Sequence, residues 1–239
     1  MFSMKWMRAV VLGASLLFPV GVSAEVPWQF ADNTRYMAMG DSLAAGYGAV
    51  PATQGYAYLL YKEGEFDKIP NTLLSNVGLI GATSADVLNY QVPLAIDVYR
   101  PTVITLTVGG NDLARILGGV PRDMVLNAFE DNLREILAQL QAGLLPEPGE
   151  PEVKIYINNL YDIPEIFGAT DAVSEFNILV FDVAAEFDNV HVADVFSAFE
   201  GRKGLRLIQR NGADQFEVHP SNAGHRAMAK AFKAVIENN

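Results

Sequence analysis

The chain has 239 residues, half of them apolar, with 17 basic residues against 28 acidic ones and no cysteine. That is enough for one sizeable core and short for two independent domains, so a single domain is expected. A net charge of −11 makes nucleic acid and anionic membrane surfaces poor partners, and the lack of thiols excludes a disulfide framework, a thiolate zinc site and a cysteine nucleophile.

In chain order, Met1 to Ala24 carries Lys5 and Arg8, then the apolar run Ala9 to Val22, and ends in Val22-Ser23-Ala24 before Glu25. This is the pattern of a secretory signal with a small-residue cleavage site. Residues 1–24 are therefore expected to be removed on export to the periplasm or the medium, leaving 25–239 as the mature domain. An uncleaved anchor is the rival reading, but the run is interrupted by Pro19 and falls short of the ~20 residues that cross a bilayer. No later segment competes for a membrane span.

Short apolar runs then alternate with helical patterns, which predicts a parallel sheet with helices on both faces. The runs are Tyr36–Met39, Leu73–Val77, Val103–Val108, Val153–Asn159 and Val190–Val195. Helices are expected from about Leu43, over Pro121–Leu140, over Asp171–Phe187 and over Ser221–Ile236, the last with Ser221 as N-cap. The Pro- and Gly-rich segment Leu145–Pro151 reads as a connection. Ser197 to Val218 reads as a long loop whose basic cluster, Arg202, Lys203, Arg206 and Arg210, is solvated.

Candidate chemistry gathers behind the strands, where open α/β sheets place their ligands. Gly40-Asp41-Ser42-Leu43 follows the first run, so Ser42 is either an ordinary N-cap or a nucleophile beside free backbone N–H groups. Gly81 follows the second run, and Gly109-Gly110-Asn111-Asp112 follows the third; the latter is an ordinary turn unless Asn111 serves as an oxyanion donor. Of the three histidines, His191 falls within a strand pattern and His225 within the last helix, where structural roles are expected. His219 stands in the loop before that helix, braced by Pro220, and is the histidine best placed to act as a general base. A zinc site from His219, His225 and an acid lacks any standard ligand spacing. There is no G-x-S-x-G elbow, which argues against an ordinary α/β-hydrolase.

Together, Gly40-Asp41-Ser42-Leu43, Gly81, Gly109-Gly110-Asn111-Asp112 and His219-Pro220-Ser221 with Gly224-His225 resemble the four ordered blocks of the SGNH (GDSL-type) hydrolases, from Tyr36 to His225. The resemblance implies a three-layer α/β/α, flavodoxin-like fold with a five-stranded parallel sheet, and a serine esterase using acyl-enzyme chemistry. It implies Ser42 as nucleophile, His219 as base, and an oxyanion hole from Ser42 N–H, Gly81 N–H and the Asn111 amide, with no cofactor or metal. Small or medium acyl esters are the implied substrates, in the manner of a lipase, lysophospholipase or arylesterase. Polysaccharide O-acetyl esters, or a non-catalytic binding module on the same fold, are the alternatives. One departure stands out: Phe216 occupies the position three before the histidine where the family usually carries an aspartate. Glu217 is the preferred substitute acid and Asp214 the alternative.

Overall fold

A computed structural model describes residues 34–63, 66–69, 71–146, 152–210 and 213–239, with the backbone alone at 67, 207–210 and 213–216. The leader expected at residues 1–24 and most of the Leu145–Pro151 connection lie outside the described residues.

Five strands, β1 (Arg35–Gly40), β2 (Leu73–Asn76), β3 (Val103–Thr107), β4 (Lys154–Asn158) and β5 (Val190–Ala193), form one parallel sheet in the order β2-β1-β3-β4-β5. Each coincides with a predicted run to within two residues. The interior strands carry apolar side chains on both faces. Met37, Met39, Ile104, Leu106, Ile155 and Ile157 build one core cluster, while Tyr36, Ala38 and Tyr156 belong to the other. Burial on both faces is why these segments read as continuous runs and not as an alternation.

The first cluster is covered by a helical run in which α2 (Ser84–Asp86) and α3 (Val92–Leu94) alternate with π-helical stretches, and by α5 (Arg122–Gly143) and α6 (Ala169–Ala184). The second is covered by α1 (Tyr56–Lys62), α7 (Val195–Phe199) and α8 (Asn222–Ile236). A short helix, α4 (Gly110–Leu117), leaves the carboxyl end of β3. Among the described residues no helix is long and apolar enough to cross a membrane.

Two expectations are corrected. No helix begins at Leu43: the chain makes turns over residues 41–48, and α1 starts only at Tyr56. Gly46 and Gly48, at φ +76° and +92°, leave the right-handed region and stop a helix before it propagates. The segment 197–218 is not a plain loop either. It contains the end of α7, a 3-10 turn at Lys203–Arg206 and an antiparallel hairpin of β6 (Leu207–Arg210) and β7 (Ala213–Phe216).

Because β1 lies between β2 and β3, the chain order reverses beside it. The crevice between the carboxyl ends of β1 and β3 is the switch point at which such sheets hold ligands.

Candidate active site

The turn out of β1 is built around close backbone approach. Gly40 adopts φ +123°, and a Cβ there would meet the Thr107 carbonyl oxygen at 1.8 Å, so only glycine fits. The Gln91 amide grips the same residue, accepting from Gly40 N–H at 2.6 Å and donating to its carbonyl at 2.7 Å. Asp41, next in sequence, is buried; its Oδ1 accepts from Leu43 N–H and from the Thr107 hydroxyl, both at 2.9 Å. Ser42, carried by this turn, is nearly buried, only 5 % exposed.

Burial pushes the Asp41 carboxyl up to about 6, although the Leu43 and Thr107 hydrogen bonds work against it. The folded value thus lies above the unfolded one, and the folded state binds the proton more tightly. That contribution is complete below about pH 4 and is lost as pH rises through about 6, a difference of about 3 kcal/mol. Asp41→Asn removes the titration, so its melting temperature relative to the wild type is expected to climb by about 5–10 °C between pH 4 and pH 7.5. Calorimetry across that range checks this, and a constant difference would contradict it.

His219 Nε2 lies 2.9 Å from Ser42 Oγ, and its Nδ1 lies 3.2 Å from Glu217 Oε1. With Nδ1 carrying the proton toward the carboxylate, Nε2 is left as the acceptor facing the hydroxyl. Glu217 Oε1 also accepts from Val218 N–H at 2.9 Å. Burial tends to raise the Glu217 carboxyl, but the hydrogen bonds from His219 and Val218 outweigh it and hold it below the ordinary carboxylate range. The Tyr47 ring packs 4.4 Å from the imidazole, tilted by 57°. Asp214 lies in β7 with its backbone opposite Gln209, and its side chain is outside the described residues.

Asn111 is the second residue of α4, and its Nδ2 donates to the Ala82 carbonyl at 2.8 Å. That bond uses one amide hydrogen and fixes the group's orientation, leaving the other hydrogen for a ligand. Gly81 sits in the preceding turn, closed by Ala82 N–H to the Leu79 carbonyl at 3.0 Å, and is exposed at φ +86°. Ser42, Asn111 and His219 line one cavity of about 190 Å³; Gly81 does not line it. The rest of the wall is mainly apolar, with Leu113 and Leu117 from α4 facing Leu160, Ile163 and Ile166 from the loop after β4.

The other two histidines have structural settings. His225 is fully buried, accepting from Tyr56 N–H on Nδ1 at 3.3 Å and facing the Tyr47 carbonyl with Nε2 at 3.0 Å. Both ring nitrogens are thus engaged by backbone, which removes it as a metal ligand. His191 lies on β5 with its ring 5.5 Å from that of Tyr156.

The basic cluster is not uniformly solvated. Arg206 is buried and holds Glu165 through two bonds of 2.7 and 3.2 Å, with Lys203 3.7 Å from the same carboxylate. Sequence reasoning also missed the buried Asp112 carboxylate, which accepts from Ser84 N–H at 2.9 Å and from the Ser84 hydroxyl at 2.7 Å. These bonds pin the α4 turn that carries Asn111 to the start of α2, and the Gly-Gly-Asn-Asp run was their only trace in the sequence.

The profile of the GDSL-like lipase/acylhydrolase family matches residues 38–227. No curated protein matches. Among solved structures, a lipolytic G-D-S-L family protein from Veillonella parvula is 22% identical with a TM-score of 0.64, the match covering 86% of this chain and 100% of that one. A lipase from a goat-rumen metagenome is 21% identical at TM-score 0.63, covering 84% and 97% of the two chains. A catalytic mutant of an acetylxylan esterase from Geobacillus stearothermophilus is 20% identical at TM-score 0.62, covering 85% and 94%.

Proposed function

The chain belongs to the GDSL-like lipase/acylhydrolase family and is a hydrolase of ester bonds, and from that premise we propose that it works through an acyl-enzyme on Ser42, with small or medium acyl esters as substrates. The observation that carries this reading is the chain Ser42 Oγ, His219 Nε2, His219 Nδ1 and Glu217 Oε1, at 2.9 and 3.2 Å, opening into an apolar cavity.

In the first step His219 takes the Ser42 proton as the hydroxyl attacks the ester carbonyl, and Glu217 steadies the imidazolium that forms. The developing oxyanion is held by Ser42 N–H and the unspent Asn111 amide hydrogen; Gly81, which the family resemblance also implies as a donor, lies outside the lining of the cavity. His219 then passes the proton to the leaving alcohol. Water repeats the sequence on the acyl-enzyme, releasing the acid and restoring Ser42. The acyl chain lies along the Leu113, Leu117, Ile163 and Ile166 wall, whose lack of charge suits hydrocarbon. The leader Met1–Ala24, with its basic start and its Val22-Ser23-Ala24 end, supports export of the mature chain from near Glu25.

The test is whether Ser42 is an activated nucleophile. A fluorophosphonate probe is expected to label Ser42 in the mature protein, alongside hydrolysis of p-nitrophenyl acetate, butyrate and octanoate. A folded protein that neither labels nor turns over any of them would instead be a non-catalytic binding module, and turnover confined to acetate would point to a deacetylase. Asn111→Ala is expected to lower kcat by ~10²–10³ with little change in KM, because its donor acts on the oxyanion and not on the ground-state ester. An unaltered kcat would remove Asn111 from that role.

A further inference from the structure

Tyr161 belongs to two structures at once. The residue forms part of the cavity wall, and its ring stacks on Phe199 with centroids 4.4 Å apart and planes 14° from parallel. Its hydroxyl donates to the Val218 carbonyl at 2.6 Å. Val218 is the single residue between Glu217 and His219, and its N–H is held by Glu217 Oε1. The phenol therefore grips the stretch of backbone that spaces the acid from the base. Burial raises it far above its ordinary range, so it remains a donor at every working pH.

A second tie joins the same two loops. Glu165, from the loop that supplies Ile163 and Ile166 to the cavity, holds the Arg206 guanidinium, and the Arg206 carbonyl accepts Glu217 N–H at 3.1 Å. The cavity wall and the His219 loop are thus connected at two points, both just ahead of the base in the chain.

We propose that Tyr161 is a positioning residue that transmits filling of the apolar cavity to the placement of His219, so that esters long enough to press on its ring are turned over faster as well as bound. The proposal rests on the acyl-enzyme reading above. A ring packed between Phe199 and an acyl chain has fewer positions open to it than one facing an empty cavity, and so does the hydroxyl that holds Val218. Proton transfer between Ser42 and His219 is sensitive to misplacement of either group by about 1 Å.

The experiment compares wild type, Tyr161→Phe and Glu165→Gln on p-nitrophenyl acetate and octanoate, with melting temperatures recorded for each. Tyr161→Phe keeps the ring and deletes the hydroxyl. Its kcat is expected to fall about tenfold on octanoate, the rate equivalent of one hydrogen bond, and by less on acetate, with KM within about twofold for both esters. Glu165→Gln, which loosens the second tie from outside the cavity, is expected to lower kcat in the same direction and serves if Tyr161→Phe does not fold. The proposal is overturned if kcat is unchanged at both chain lengths, if it falls equally at both, or if the loss appears in KM alone. Probe labelling of Ser42 in the wild type separates this outcome from a failure of the acyl-enzyme reading.

Discussion

Ser42→Ala is expected to lower kcat on p-nitrophenyl butyrate by ~10⁴–10⁶-fold in a protein that melts close to the wild-type temperature. The two halves of that expectation have separate grounds. In the proposed acyl-enzyme reading the hydroxyl forms and breaks the covalent bond to the acyl group, and water held by the remaining donors is a far poorer nucleophile. The turn around it is held by other groups: Gln91 on Gly40, Thr107 on Asp41, and the Asp41 carboxylate on Leu43 N–H. Among the described residues, Ser42 Oγ bonds only His219. His219→Ala is expected to cost a similar factor, and the double variant no more than either single one, because nucleophile and base act as a unit. Residual kcat within about tenfold of wild type in Ser42→Ala, with contaminating esterase ruled out by the probe, would mean that another group attacks the ester.

The second large effect concerns the acid. Glu217→Gln is expected to reduce kcat by ~10³–10⁴, while Asp214→Asn leaves it near wild type. One Glu217 oxygen faces two donors, the Val218 amide and His219 Nδ1. A carboxylate serves both and also balances the charge that His219 gains in the transition state. Glutamine loses that charge, and its amide nitrogen, if turned toward Nδ1, disfavours the tautomer the base requires. Steady-state kinetics on the two purified variants checks this, and the opposite ranking would move the role to Asp214.

Why Glu217 lies within reach of the imidazole, at a spacing of two residues, follows from the backbone. Phe216 ends β7, so the chain leaves a strand there and turns at once. Glu217 N–H is anchored to the Arg206 carbonyl, and its side chain curls back to bond Val218 N–H before reaching His219. An acid three residues ahead would have fallen within the hairpin.

This also marks what was legible in the sequence. The five strands read clearly because burial on both faces leaves unbroken apolar runs, and α5 and α8 because they carry one-sided apolar stripes with recognisable starts at Pro121 and Ser221. The order Ser42, Asn111, His219 was readable since each stands directly behind an element of the sheet or before the last helix. The hairpin was missed although Asn211-Gly212 between two short mixed runs is a strong hairpin signal, because its strands are short and adjoin a stretch rich in Arg and Lys, a pattern shared with solvated loops. The helical run at residues 84–99 was missed because its opening capping box, Thr83 with Asp86, precedes π-helical turns that blur the 3.6-residue period. Tyr161 and the Glu165–Arg206 pair had no sequence signal at all, since their partners are remote along the chain and only tertiary packing selects them.

The contact between Ser42 and His219 spans 177 positions of sequence, and His225 joins Tyr56 across 169. A chain made and delivered from its N-terminus exposes the hydroxyl long before the imidazole arrives. Every truncated or partly delivered product that stops short of residue 219 is therefore a hydroxyl without a base. In the acyl-enzyme reading proposed above, activity therefore requires the chain through His219 and its contact with Ser42.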